Sequence, residues 1–503
     1  MEEQKRSLQE KFLLYALAAI ILIRILSVFF MGPMPQDAYY YLYSQHPSLS
    51  YFDHPAAIAV LLRFFTWVFG SNVVAIKLAD SVLTIGTVLL FYKLALSFYP
   101  KAQAVRSTIL LLSTLMVSIL SLVSTPDTPL IFFWTLSLLL LRRALRMDKT
   151  GYWIFSGIAM GLAFDSKYTA VFLPFGLLLF LLLSVSHRRL LTTVWPWLCL
   201  MVMILVSAPV IVWNFQHDFA SFAFQGSQRM GQLSAFTVKP KFIFGLLGHQ
   251  LALLMPVLFI TLFYGLYILV KRYGKKSAEM PVNDLFLLSF FLPVFLLFIL
   301  ISPLYWVKIN WMMPAYISGI LWVSIYLSEK WFKWQILLSL LVHLGLILEV
   351  LFYPIPIRSD DTWVGWEELS EKVLIVKREQ HADFVFSADG YKTSAELNLY
   401  SEHFIYGQNV LGEPALEFDF LDTDLSKLSG QNGIFIDSDP HFKDIGIEVM
   451  MPEKLKGYFE AVRQLPPVII RRNNRPVRKF LVYFCEGYRP PLQGKYNRPD
   501  YQP

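Results

Sequence analysis

The sequence predicts a mainly α, polytopic membrane bundle of about eleven transmembrane helices, followed by an extracytoplasmic α/β domain. Three observations predict it. Hydrophobic residues fill 55% of the 503 positions and charged residues 16%, with a mean hydropathy of +0.49, too apolar for a soluble chain that must cover itself with polar groups. Apolar runs of bilayer length recur through residues 1–354. After Pro354 charge returns to ordinary density and short strand-like runs begin.

The first apolar run, 12–31, follows a charged stretch and has no small-residue cleavage site, which predicts a retained signal-anchor helix. Further runs lie at 73–98, 105–124, 128–145, 153–165, 169–186, 192–213, 242–270, 284–303, 309–328 and 334–353, with 153–165 the shortest. Charge placement orients them. With the N-terminus cytoplasmic, the inner loops hold fourteen Lys and Arg, and the outer loops hold five (Lys167, Arg229, Lys239, Lys241 and Lys308), or seven if Arg63 and Lys77 are counted. The excess of positive charge inside favours this orientation, and an odd number of spans puts the C-terminal region outside, on the periplasmic face of a bacterial inner membrane. The net charge of +7 collects in short loops between apolar runs, which argues against nucleic acid as a partner.

Residues 355–503 read as a periplasmic α/β domain, with strands at 383–387, 433–437, 467–470 and 480–484 and helical patterns at 392–400 and 452–462. The basic stretch 471–489 reads as a solvated edge or as a contact for anionic headgroups. Cys199 and Cys485 make neither a disulfide framework nor a metal-ligand spacing and are expected to be structural.

Four polar stretches interrupt the apolar runs, all on the predicted outer face. The segment 35–55, PQDAYYYLYSQHPSLSYFDHP, carries Asp37, Asp53 and His54 and no Lys or Arg. TPDTPL, 125–130, leaves Asp127 as its only charge, either a functional carboxylate or the cap of the next helix. DSKYT, 165–169, holds Lys167, a lone cation in a short outer turn; it suits a phosphate contact, although such lysines also snorkel to headgroups. WNFQHDFASFAFQ, 213–225, continuing to Arg229, is either an aromatic belt or a lipid- or acceptor-binding loop.

Acidic groups, a lysine and a histidine at one membrane face fit transfer from a phosphate-linked lipid donor. An acceptor hydroxyl must give its proton to a base, which a carboxylate can be. The leaving phosphate gains charge that Lys, Arg or a divalent cation stabilises. Asp37, Asp53 and His54 could gather one such metal ion. A transporter or flippase would instead carry charges at mid-span, for which Arg24 and Glu349 are the main candidates, and repeated halves, which are not visible.

These motifs in series, QDAYYYLYSQHPSLSYFDHP, TPDTPL, DSKYT, WNFQHDFASFAF and the later GYKTSAELNLYSEHFIYGQNV at 390–410, resemble those of the bacterial GT-C glycosyltransferases of the ArnT, protein O-mannosyltransferase and Rgt-like family. The resemblance implies an inner-membrane hexosyl- or pentosyltransferase. It would move a sugar, with inversion, from a polyprenyl-phosphate carrier to lipid A, lipopolysaccharide core, another envelope glycan or a protein hydroxyl. By it, Asp37 matches the first-loop catalytic acid, Lys167 and Tyr168 the donor-phosphate motif, and Asp53, His54 and Asp127 recurrent positions; Asp37, Asp53 and Asp127 are the expected catalytic acids, and Lys167, Tyr168 and Arg229 the expected donor-phosphate residues. The family commonly has Asp-Glu where this chain has Asp37 and Ala38, which leaves the second acid, and any metal it would bind, to Asp53 or Asp127.

Overall fold

The computed structural model describes residues 2–147, 149–228, 237–274, 279–421, 424–446 and 453–490. Among these, six helices are long and apolar enough to cross a membrane: Leu13–Phe30 within Glu2–Phe30, Val73–Leu96, Asp127–Met147, Pro256–Tyr273, Val282–Ile301 and Glu329–Phe352. Two bent pairs raise the count to eight. Of four shorter apolar helices, Thr150–Phe164, Tyr168–Leu183 and Met313–Val323 fall on the expected runs 153–165, 169–186 and 309–328, and Ala57–Phe69 falls on none of the expected runs.

The other differences from expectation are breaks. The run 105–124 is two helices, Lys101–Leu112 and Leu115–Leu122, bent by 63°. The run 192–213 bends by 49° between Trp195–Val206 and Ala208–Gln216. The run 242–270 divides into Pro240–Leu254 and Pro256–Tyr273 at Met255, whose φ of 66° and following proline stop the helix. Each break frees backbone groups that lipid cannot satisfy. Buried side chains satisfy them: Arg24 donates to the carbonyls of Leu112 and Thr114 at 2.7 and 3.0 Å, and Gln335 donates to Leu254 O at 3.0 Å while accepting from Leu258 N–H at 3.1 Å. Arg24 is thus a structural clamp within a span. Lys77 and Asp80, fully buried on the Val73–Leu96 helix, are two further charges within spans that the hydropathy of their run conceals.

Close packing follows from small residues. A Cβ added at Gly157 would lie 2.4 Å from Cys199 O, and one at Gly161 2.6 Å from Val206 Cβ, so the Thr150–Phe164 helix meets its neighbour through glycines four residues apart. Cys199 and Cys485 are both free and buried.

The C-terminal sheet has strands β1 (Phe384–Ser387), β2 (Gly433–Ser438), β3 (Ala461–Arg472) and β4 (Arg475–Glu486) in the order β1-β2-β4-β3. β1 and β2 are parallel, and β4 runs antiparallel to β2 and β3. Each of the four expected strands falls on one of these, the first starting one residue early. The helical pattern 452–462 does not hold over its described part: Glu453–Leu455 is a single 3-10 turn, and β3 begins at Ala461. The basic stretch 471–489 is mostly a hairpin, turned at Asn473 and Asn474, which take the positive φ values of 50° and 61° that such turns require. Its Arg478 and Lys479 are buried, with Arg478 paired to Asp360 at 3.0 Å, so it is no simple solvated edge.

This domain is seated on the first polar segment. The segment 35–55 is largely a buried helix, Pro35–Gln45, and the Lys392–Tyr400 helix packs on it, with the rings of Tyr39 and Tyr391 4.4 Å apart.

Candidate active site

Asp37 is the third residue of the Pro35–Gln45 helix, and its carboxylate turns back to accept the Met34 N–H at 2.8 Å. That bond fixes the start of the helix and aims the acid inward. There its Oδ2 meets Lys77 Nζ at 2.9 Å and its Oδ1 the Ser124 N–H at 2.6 Å. Lys77 also donates to Leu122 O at 2.8 Å, an end carbonyl of the Leu115–Leu122 helix. The Ser124 hydroxyl donates to Asp80 Oδ2. Three donors to two carboxylate oxygens leave a lone pair on Oδ1 able to accept a proton.

Three residues beyond Ser124, Asp127 opens the next helix. It does not spend its carboxylate as a cap. Lys167 Nζ lies 2.8 Å from both of its oxygens, and Asn310 Nδ2 donates to Oδ2 at 2.5 Å. The turn 124–127 therefore links the Asp37–Lys77 pair to the Asp127–Lys167 pair on one face of the bundle. Tyr168, beside Lys167, hydrogen-bonds the Ser221 hydroxyl at 2.6 Å and so ties DSKYT to the 213–225 segment.

Asp53 makes a third centre. Its Oδ1 accepts the hydroxyls of Tyr43 and, at 3.2 Å, Tyr39. Burial pushes its carboxyl above the usual range, opposed by those hydroxyls and by the charge of Lys308. Gln225 donates to its main-chain oxygen at 2.6 Å. From the C-terminal domain, Glu417 accepts the Phe52 N–H at 2.8 Å and gives its own N–H to the Tyr39 hydroxyl at 3.2 Å. Phe420 stacks on Phe52 with centroids 5.1 Å apart. His54 lies in the same loop, its ring 6.0 Å from Tyr40.

The expected metal set is not assembled: among the described residues no three His, Cys, Asp or Glu side chains are grouped to hold an ion. Asp37 is turned to Lys77 and Asp53 to two tyrosines, so their lone pairs are taken by different donors. Arg229 lies outside the described residues. Sequence reasoning missed Lys77, Asp80, Asn310, Tyr39, Tyr43 and Glu417. Lys77, counted there as an outer-loop charge, is fully buried. The only signal for Lys77 and Asp80 was their i, i+3 spacing, which puts both on one face of an otherwise apolar helix.

Residues 53–213 match the family described as dolichyl-phosphate-mannose-protein mannosyltransferase. A lipid A galacturonosyltransferase, RgtD, of Rhizobium johnstonii is 25% identical over 301 residues, a stretch spanning 59% of this chain and only 61% of that protein. ArnT of Cupriavidus metallidurans in its apo state superposes with a TM-score of 0.61 at 13% identity, covering 94% of this chain and 98% of ArnT. The same enzyme bound to undecaprenyl phosphate gives a TM-score of 0.60, with the same identity and coverage. The chain thus matches this family over residues 53–213 and shares the fold of ArnT over most of its length.

Proposed function

We propose that this protein transfers a sugar from a polyprenyl-phosphate carrier to lipid A or a related envelope glycan on the periplasmic face of the inner membrane. The N-terminus is then cytoplasmic, and residues 355–503 form the periplasmic domain. The observation that carries the proposal is the pairing of Asp37 with Lys77 and of Asp127 with Lys167 across the 124–127 turn. In this reading the two pairs supply a base and a cation at one membrane face, where a carrier's headgroup would lie.

In this reaction Asp37, held by Lys77 and two N–H donors, takes the acceptor hydroxyl's proton on Oδ1. The acceptor oxygen bonds to the sugar C1 as the bond from C1 to the phosphate oxygen breaks, and one displacement inverts that carbon. Lys167 and Tyr168 face the departing phosphate, Lys167 moving from Asp127 to the new charge while Asn310 retains the acid. Asp53, set between its tyrosines, orients the acceptor. The Rgt-type relative favours a hexuronosyl unit. A protein hydroxyl as acceptor is the second reading, favoured by the description of the matched family.

The test is transfer in proteoliposomes from a polyprenyl-phosphate-linked sugar to lipid A or to a protein acceptor. Sugar on lipid A supports the first reading and sugar on protein the second. Transfer to neither, with donors of both hexose and pentose type, contradicts both.

A further inference from the structure

Glu396 sits in the Lys392–Tyr400 helix, the part of the C-terminal domain packed on the helix that bears Asp37. It is fully buried, between the buried Ala395 and Leu397. Among the described residues, neither of its carboxyl oxygens meets a hydrogen-bond donor. Leaving a buried polar group unpaired is costly, and more so for a charge. A buried group kept at that cost calls for a reason.

The charges around it supply one. From the Pro35–Gln45 helix Asp37 acts on it, and from the Val73–Leu96 helix Lys77. From β4 comes Arg478, already committed to Asp360 and to Val364 O. Tyr400, on its own helix, feels Glu396, Asp37 and Glu367 of the adjoining Trp366–Glu379 helix. Two carboxyl groups near one lysine do not both ionise readily. Asp37 has the lysine and two N–H donors, and Glu396 has none of them.

We propose that Glu396 is a positioning residue for Asp37, a carboxyl group brought by the C-terminal domain that keeps its own proton and so puts no second anion beside the Asp37–Lys77 pair. Burial and the Asp37 charge both hold Glu396 well above the ordinary carboxylate range, in agreement with this. The inference rests on the transfer reaction proposed above. It adds that docking of the domain depends on the proton of Glu396: when that proton is lost, a second negative charge comes to the interface with the helix that bears Asp37, and the two helices repel.

Infrared titration of the purified full-length protein reads the pair without activity. The proposal expects a protonated carboxyl band at neutral pH, assigned by its loss in Glu396→Gln or its displacement in Glu396→Asp, that titrates at lower pH in Asp37→Asn. The rate of sugar transfer should fall on the alkaline side in the wild type, and that fall should be absent from Glu396→Gln, a change that a purely packing role would not produce. The proposal is overturned if the Glu396 band is missing at neutral pH, if Asp37→Asn leaves its titration in place, or if Glu396→Gln keeps the alkaline fall. A protein that shows the infrared shift but transfers no sugar would refute the reaction and leave the coupled pair standing.

Discussion

Lys77 Nζ lies 2.9 Å from Asp37 Oδ2 with neither side chain exposed, so the acid of the first polar segment is half of a buried ion pair. Removing one member of such a pair strands the other in low dielectric, at a cost of about 3–5 kcal/mol. Lys77→Met should therefore lower the unfolding temperature in detergent sharply. The double variant with Asp37→Asn should recover part of the loss, and a double-mutant cycle measures the coupling. Additive effects would mean the two side chains do not interact.

Lys167→Ala removes the cation held by Asp127 and Asn310. Donor KM should rise by about tenfold, the equivalent of roughly 1.4 kcal/mol. Lys167→Arg should recover part of the donor affinity because it restores the charge. An unchanged donor KM in Lys167→Ala would remove this residue from the phosphate site.

Tyr43→Phe takes from Asp53 one of the two hydroxyls that favour its charged form. Burial already raises this carboxyl, so the variant raises it further, and the acidic limb of the transfer rate should move to higher pH. Full pH–rate profiles of both proteins give the sign directly.

Glu417 is held well above the ordinary range, first by burial and then by Asp53 and Asp419, with the Phe52 N–H opposing. A group raised in this way contributes stability that is complete below its unfolded-state value and is lost as pH rises through the folded one. Glu417→Gln keeps an acceptor for Phe52 and cannot ionise. Its unfolding temperature should decline less than that of the wild type between about pH 5 and pH 9.

Much of this architecture is legible in the sequence because bilayer length and period-two alternation are strong signals. The run 73–98 contains the Val73–Leu96 helix, the pattern 392–400 is the Lys392–Tyr400 helix, and all four expected strands are present. The break at Ser113 is not legible, because Arg24, which satisfies it, comes from a helix far away in the chain; the break at Met255 is marked by Pro256, but Gln335, which satisfies it, is equally distant. The same holds for the site. Asp37, Asp127 and Lys167 stand out because they interrupt apolar runs. Lys77 and Asp80 hide inside one, and Glu396 and Glu417 become neighbours of the first segment only when the C-terminal domain folds onto it. The metal set failed for a related reason: sequence proximity put Asp37, Asp53 and His54 together, and side-chain direction sent Asp37 and Asp53 to different partners.

The most direct test is mass spectrometry of envelope lipids from cells expressing the wild-type protein or Asp37→Asn, with membrane insertion of the variant confirmed. The account predicts a lipid A or glycan species lighter by one sugar in the variant, because a base worth about 10²–10⁴-fold in rate has been removed without change of size. An identical set of glycosylated lipids in both strains would contradict it.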